Sequence, residues 1–381
     1  KILSTIGNLN NHLGVPLTIF HLKGSEKICI FEVGINHKNE MKNLSNIIKP
    51  DIGIILNIAK SHLEYLINLD GVLEAKWELV ENISQNGILV LNRDDEKLMS
   101  KLDKTQKTLQ KKLDIILFGK KNNFDEFKKS KNKNKNENIY GEILKIAENL
   151  KSQKIKIIDN DKEYIFDFKI LGDSGLYAAL ACFTICKKLD IDSEKIVKYL
   201  SKFDETSKMR FEIKNVGEIS VIDDSYNANP TSMAESLKLF SKIQPFQKFE
   251  YFEYKDKIFE KNKNFKIKKI AVLGDMLELG QNSKKEHENI AEFIKNENLN
   301  IDYIFCFGKE SFFIFQKLKE FGYKNIFWSN EKLDIIKNIN EIIKKGDFLF
   351  LKGSRGMKLE EILENIVTKN KKKSLVKCRK N

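Results

Sequence analysis

The stretch Asp223-Asp224-Ser225-Tyr226-Asn227-Ala228-Asn229-Pro230 carries the fold. It follows an apolar run, Ile219, Val221 and Ile222, that reads as a buried strand. It precedes Thr231 to Leu237, which reads as a helix start with capping hydroxyls. Two carboxylates, a phenol and two amides therefore crowd the carboxyl end of a strand, which is where open α/β sheets bind ligands. A plain turn also uses Asp, Asn and Pro, but it does not need two acids directly after a buried strand.

Outward from this stretch, strand-like runs alternate with helical patterns. Upstream are Cys29-Ile30-Phe31, Ile52 to Ile58, Gly87 to Leu91 and Ile115 to Phe118, with helical patterns at Gly71 to Asn82, Leu176 to Leu189 and Glu194 to Phe203. Ile155 to Ile158 and Tyr164 to Phe168 read as an antiparallel hairpin around Asp159-Asn160. Downstream are Ile270 to Leu273, Tyr303 to Phe307, Asn325 to Trp328 and Phe348 to Leu351, closing with a helix over Lys358 to Val367. The alternation predicts an α/β fold with mostly parallel sheets and two domains. The boundary falls near Lys208, giving domains over 1–208 and 209–367 and a basic tail over 368–381. Pro245 to Lys266 reads as an inserted loop.

A chain of 381 residues, 41% hydrophobic and 32% charged, has enough material for two or three cores. No apolar run has the length of a membrane span, and Lys1 to Asn11 lacks the apolar core of a secretory signal. The five cysteines (29, 182, 186, 306 and 378) form no CxxC pair and are read as buried free thiols of a reducing cytoplasm. Cys182 and Cys186 share a helix face and are assigned to core packing. The net charge of +13 lies largely in Lys-rich runs such as 128–135 and 369–373, which have no interleaved aromatics. Steering of anionic small substrates is a more economical use of that charge than nucleic-acid binding.

Several residues are placed for chemistry. Glu32 and Asn57 end two strands, and His62 follows; on adjacent parallel strands they would share one rim, suited to Mg²⁺. The other reading is a surface Glu and a helix-capping His. Lys76 sits on the next helix, either solvated or near the metal, where it would neutralise phosphate or be carbamylated. Arg210 and Asp224, with Asn227, flank the domain boundary and suit a nucleotide, or form ordinary salt bridges. Lys352-Gly353-Ser354-Arg355-Gly356 joins a strand to a helix and reads as an anion site or as a tight turn with incidental basic residues. No G-x-x-x-x-G-K-[ST] phosphate loop occurs.

Taken in order, these motifs resemble the Mur ligases of peptidoglycan synthesis. They are Gly7-Asn8-Leu9-Asn10-Asn11 with Gly14-Val15-Pro16, Phe31-Glu32-Val33-Gly34, Asn57 with His62-Leu63-Glu64, Ala75-Lys76, and Met209-Arg210. Asp223 to Pro230, Leu273 to Gly280 with His287, and Lys352 to Met357 complete the set and point to the branch that adds a dipeptide. The resemblance spans residues 5 to about 366. It implies an ATP- and Mg²⁺-dependent ligase joining D-alanyl-D-alanine to UDP-N-acetylmuramoyl-tripeptide through an acyl phosphate, acting as a cytoplasmic monomer. By resemblance Glu32, His62 and Lys76 form the catalytic metal site, with Lys76 carbamylated. Arg210, Asp224 and Asn227 hold ATP. Asn8, Asn10, Asn11, Asp275, Lys352, Ser354 and Arg355 face the substrates.

The pattern also departs from the family. The UDP-sugar domain and the first strand with its phosphate loop are expected upstream of Gly7, so the chain reads as a fragment, inactive by itself and with an apolar edge exposed near Lys1. Ser174 and Ala178 stand where the family usually has a His and an Asn contacting adenine. The alternatives are a non-catalytic Mur-ligase-like binding protein and a sister amide ligase such as a folylpolyglutamate synthetase.

Overall fold

The computed structural model describes residues 1–105, 112–120, 138–147, 150–204, 208–243 and 267–366. The Lys-rich run 128–135, the insertion read at 245–266 and the tail 368–381 lie outside them. The chain forms two compact units. One comprises Lys1–Leu144, Lys154–Phe168 and Asp173–Phe203, and the other Lys145–Gln153, Lys169–Gly172 and Asp204–Asn381.

In the first unit, β1 (Ile2–Ser4) pairs in parallel with β2 (Ile28–Ile30), and α1 (Gly14–Phe20) lies between them in sequence. Then come α2 (Glu40–Ile48), β3 (Ile52–Ile55), α3 (Leu63–Leu66), α4 (Leu69–Asn82), β4 (Ile88–Asn92), α5 (Glu96–Thr105), β5 (Asp114–Lys120) and β6 (Asn138–Ile146). They are followed by β7 (Gln153–Asp159), β8 (Lys162–Phe168), α6 (Gly172–Lys188) and α7 (Ser193–Lys202). Strands β3 to β8 form one six-stranded sheet in sequence order, parallel from β3 to β6. Its strands are apolar along much of their length (Leu89, Val90, Leu91, Ile116, Phe118), as parallel strands covered on both faces must be. A Cβ on Gly141 of β6 would come within 3.0 Å of Leu176 and Leu180 of α6, so glycine there lets the helix settle on the sheet. The two-residue connection from β7 to β8, with Asn160 at φ 53°, is a hairpin turn.

Two expectations need correction here. Glu32 and Asn57 do not end adjacent strands of one sheet. The strand before Glu32 hydrogen-bonds to β1 in a separate two-stranded sheet, whereas the strand before Asn57 pairs with β4. Strand pairing is non-local, so βα alternation orders strands in sequence without placing them side by side. Nor are the cysteines uniformly buried: Cys306 is, but Cys29 and Cys182 are exposed and Cys186 is half-buried. Ile2, Ile6, Leu13, Leu17, Phe20 and Ile30, around β1 and α1, are all exposed.

In the second unit, β9 (Glu212–Val216) runs antiparallel to β10 (Ile219–Asp224). Then follow α8 (Pro230–Lys242), β11 (Lys269–Gly274), α9 (Ser283–Asn296), β12 (Tyr303–Phe307), α10 (Phe312–Glu320), β13 (Ile326–Ser329), α11 (Lys332–Ile342) and β14 (Phe348–Lys352). The sheet order is β13-β12-β11-β14-β10-β9, parallel except for β9. The core on one face joins Val221, Val272, Phe305, Leu349 and Leu351 to Ile335, Ile339, Leu359 and Ile362. Phe240 of α8 stacks on Phe350 of β14 at 5.0 Å between ring centres. Because β14 returns between β11 and β10, the strand order reverses there. The carboxyl ends of those three strands form the topological switch point where such sheets bind ligands.

Candidate active site

The residues read from sequence fall into two groups, one in each unit. In the second unit they collect at the switch point. Parallel register sets Lys352 of β14 beside Asp224 of β10 and Leu273 of β11. The Lys352 ammonium donates to Asp224 Oδ2 at 2.7 Å and to the Asn227 carbonyl at 3.3 Å. The Asp224 carboxylate also accepts the Ser236 hydroxyl at 2.6 Å and the Phe211 N–H at 3.1 Å. Both residues are buried, so their charges neutralise each other within the fold. Asp223 is buried beside them, accepting from Lys214 Nζ at 2.9 Å and from the Ser225 hydroxyl at 2.5 Å.

The loop after Asp224 ends in a capping box rather than in hydroxyl caps alone. Asn229 Oδ1 accepts the Ser232 N–H at 2.9 Å, and Ser232 Oγ accepts the Asn229 N–H at 3.1 Å, with Pro230 opening α8. Asn227 is exposed on this loop, its side chain accepting the Ala228 N–H at 2.9 Å.

Arg210 is exposed and lies over the Tyr226 ring, its guanidinium carbon 4.4 Å from the ring centre. Its neighbours Met209 and Phe211 both have positive φ, 61° and 52°. Such backbone costs on the order of 1–3 kcal/mol per residue and persists only where the surroundings impose it. Here Glu212 accepts the Met209 N–H at 2.9 Å, Asp224 accepts that of Phe211, and the Met209 carbonyl accepts the Tyr226 N–H at 3.0 Å.

The turn after β14 is built for close packing. A Cβ on Gly353 would come within 3.0 Å of the Gly274 Cα, so the close backbone approach read from sequence is between two strand ends. Ser354 is buried, its hydroxyl accepting the Leu277 N–H at 2.8 Å and donating to the Ala228 carbonyl at 3.3 Å. Arg355 is exposed, paired with Glu360 at 2.7 Å, with Nη1 3.6 Å from Met209 Sδ. Asp275 is buried and accepts the Ser311 N–H at 2.7 Å. His287, buried nearby, accepts the Met276 N–H on Nε2 at 3.0 Å and donates from Nδ1 to the Ser283 carbonyl at 2.8 Å. Burial holds its pKa below the usual histidine value. Arg210, Asn227 and Arg355 thus face outward, while Asp224, Asp275, Lys352 and Ser354 are turned into the fold.

In the first unit, Glu32 is exposed; its Oε1 accepts the Asn10 side-chain amide at 2.9 Å and its N–H donates to Thr5 Oγ1 at 3.0 Å. Asn11 Oδ1 accepts the N–H groups of Leu13 and Gly14 at 3.1 and 2.9 Å, tying the loop to the start of α1, while Asn8 is exposed. His62 occupies the N-cap position of α3 with φ 55°. Lys76 of α4 donates to the Asn57 carbonyl at 2.8 Å. Burial pushes its ammonium below the usual lysine pKa, and the Asp95 carboxylate opposes that shift. Asp95 caps α5 through the Leu98 N–H at 3.0 Å and accepts the Ile58 N–H at 2.6 Å. The loop after β3 therefore meets α4 and the start of α5 around Lys76. Among the described residues, no three His, Cys, Asp or Glu side chains are grouped to hold a metal.

The sequence reading missed a further group at the start of α6. The Tyr177 hydroxyl donates to Asp94 Oδ2 at 3.0 Å, Lys120 Nζ lies 5.3 Å from the Tyr177 ring centre, and Lys120 pairs with Asp173. Ser174 is exposed on the same helical turn. The three partners come from separate stretches, so no local motif marks them.

Comparison with known proteins decides the family. Residues 1–186 match the model of the Mur ligase middle domain. A Bacillus subtilis UDP-N-acetylmuramoyl-tripeptide–D-alanyl-D-alanine ligase is 30% identical over 369 residues, covering 96% of this chain and 70% of its own. The chain belongs to the Mur ligase family. Another relative, from Buchnera aphidicola and of the same name, is 32% identical over 366 residues, with 96% of this chain and 69% of its own covered. In fold this Mur ligase is similar to MurF from Acinetobacter baumannii, with TM-score 0.76 and 23% identity over 96% of this chain and 70% of that one. It is also similar to a Thermotoga maritima MurF in complex with ADP, with TM-score 0.74 and 23% identity over 98% and 74% of the respective chains. Among the described residues, no helix of the Mur ligase is long and apolar enough to cross a membrane.

Proposed function

We propose that this Mur ligase joins D-alanyl-D-alanine to UDP-N-acetylmuramoyl-tripeptide, using ATP, in peptidoglycan precursor synthesis. The observation that carries the reading is the match to UDP-N-acetylmuramoyl-tripeptide–D-alanyl-D-alanine ligases over nearly the whole chain. It is supported by the grouping of Arg210, Asn227 and Arg355 around the sheet's switch point. Residues 1–208 act as the ATP-binding part and 209–367 as the part that receives the incoming amine. The enzyme works as a monomer in the cytoplasm, on small molecules and not on nucleic acid.

The chemical task explains the charges. A carboxylate resists attack by an amine because oxide is a poor leaving group. Phosphorylation supplies a phosphate leaving group, and the amine then forms the amide through a tetrahedral intermediate. Arg210, held over Tyr226 on strained backbone, supplies a fixed cation for nucleotide phosphate. Asp224 and Lys352 fix the loop that carries Asn227 and brace the backbone beside Arg210. Arg355 offers a second exposed guanidinium for a carboxylate or phosphate.

In the first unit Glu32 would hold Mg²⁺ through its exposed carboxylate, with His62 as a second ligand and with water and phosphate oxygens, the usual habit of Mg²⁺, completing the shell. Bound there, the ion would neutralise phosphate charge. Lys76 as an ammonium is no ligand. Its lowered pKa enlarges the neutral fraction that carbon dioxide can convert to a carbamate, which would turn the position into an oxygen donor.

The test is phosphate release from ATP by the protein that carries these residues, in the presence of both UDP-N-acetylmuramoyl-tripeptide and D-alanyl-D-alanine. Release that depends on both supports the reading. Release with glutamate in place of the dipeptide, or none with either acceptor, overturns it.

A further inference from the structure

Cys182 and Cys186 lie one turn apart on α6, with their sulfur atoms 4.0 Å from each other. Cys182 is exposed and Cys186 half-buried, so the pair opens to solvent. The core face of the same helix is formed by other residues, among them Ala179, Leu180, Phe183 and Thr184. Neither thiol takes part in the ligase site described above.

Two thiols this close have two chemical uses. An internal disulfide fits poorly. Residues four apart on a helix hold their Cβ atoms about 5–6 Å apart, whereas a disulfide requires about 3.8 Å. Closing that gap would unwind a turn flanked by the buried Phe183 and Thr184 side chains, the second bonded to the Leu180 carbonyl at 2.7 Å. A metal bridge fits without unwinding the helix. Two thiolates each about 2.3 Å from one ion are roughly 4.6 Å apart in line, the arrangement of an ion held by two ligands. Side-chain rotation alone covers the difference from the observed 4.0 Å.

We propose that Cys182 and Cys186 form a two-thiolate site for a single soft metal ion of the Cu(I) type. Soft thiolate ligands select Cu(I). Among the described residues, no group of three or more His, Cys, Asp or Glu surrounds the pair, which disfavours ions such as Zn²⁺ that take four protein ligands in structural sites. Binding joins Cu(I) to both sulfur atoms and releases the thiol protons to water. The product is one S–Cu–S unit of net charge −1, and no electron is transferred.

The test is an anaerobic titration of the reduced protein with Cu(I) against a competing Cu(I) chelator. A Cys29→Ser/Cys378→Ser background removes the exposed thiol of β2 and the thiol of the tail. One equivalent of Cu(I) is expected to resist the chelator. Cys182→Ser and Cys186→Ser should each weaken binding by roughly 100-fold, because a chelate loses its intramolecular second ligand. An independent probe is phenylarsine oxide in excess monothiol, which is retained only by paired thiols. One adduct is expected by intact mass on the background protein and none on either Ser variant, with circular dichroism showing that all three are folded. No retained Cu(I), or wild-type affinity in either Ser variant, overturns the proposal, as does failure of the background protein to keep the arsenical. None of these readouts depends on ligase activity.

Discussion

Asp224 and Lys352, 128 positions apart in the chain, form a buried ion pair with 2.7 Å between Oδ2 and Nζ. Parallel register between β10 and β14 makes them neighbours, and burial makes each depend on the other. Replacing only Lys352 strands a carboxylate in the interior. Lys352→Met should destabilise the second unit by about 3–5 kcal/mol. The Asp224→Leu/Lys352→Met double variant should recover most of that loss, since well-packed apolar pairs replace buried ion pairs at little cost. Urea unfolding of the single and double variants checks both; equal losses in the two would contradict the pairing.

Arg210 should behave in the opposite way. It is exposed and, among the described residues, lies over the Tyr226 ring, so Arg210→Ala should change stability by no more than about 1 kcal/mol. Under the proposed function it should reduce kcat/KM for ATP by roughly 10- to 150-fold, the worth of a hydrogen bond to a charged group. Steady-state kinetics beside thermal unfolding separates the two effects. A large stability loss with unchanged kinetics would make Arg210 structural.

For Lys76 the pH dependence has a definite sign. Burial sets its folded pKa below the usual 10.5. Between those two values the unfolded chain binds more protons, so unfolding free energy rises with pH. Below that window the residue's burial costs stability in full. Measured against Lys76→Met, the wild type should gain stability as pH rises from 7 towards 10, and a flat difference would show that Lys76 is not perturbed.

His287 gives a second pH signature. It is held neutral by burial, with its folded pKa below the usual 6.5. Its contribution is complete above 6.5 and is lost as pH falls through that value, because only the unfolded chain takes up the proton. His287→Gln can keep a Met276 acceptor and a Ser283 donor. Its stability should fall less steeply between pH 6.5 and 5, by up to about 1.4 kcal/mol per pH unit. Denaturant unfolding at several pH values reads this slope directly.

Gly308 sits at φ +117°, and a Cβ there would lie 2.4 Å from Asp275 Oδ1. Gly308→Ala should destabilise by at least about 1–3 kcal/mol from backbone strain, with the clash added. Unchanged thermal stability would mean that the Asp275 carboxylate is not lodged against this turn.

Much of the fold was legible because parallel α/β architecture writes itself in local signals. The run Ile219 to Ile222 followed by two acids is β10, and Gly71 to Asn82 lies within α4. The strand β6 was not legible: it follows a Lys- and Asn-rich run that masks its start. The candidate site was legible as a list of residue types. Their orientation was not, because a carboxylate aimed at solvent and one aimed at a buried lysine have the same sequence. Asp224 and Asp275 read as ligand-facing and are engaged inside the fold.

The sequence by itself determined the order of the elements, the polar rim after each buried strand and the family. These rest on periodicity and on motifs within a few residues. Only the tertiary structure decided that β2 pairs with β1, that Lys352 neutralises Asp224, that the backbone on both sides of Arg210 is left-handed, and that Cys182 opens to solvent beside Cys186. The first two depend on which distant strands share hydrogen bonds. The third depends on Asp224 and Glu212 holding N–H groups of that turn, and the last on which face of α6 the sheet covers.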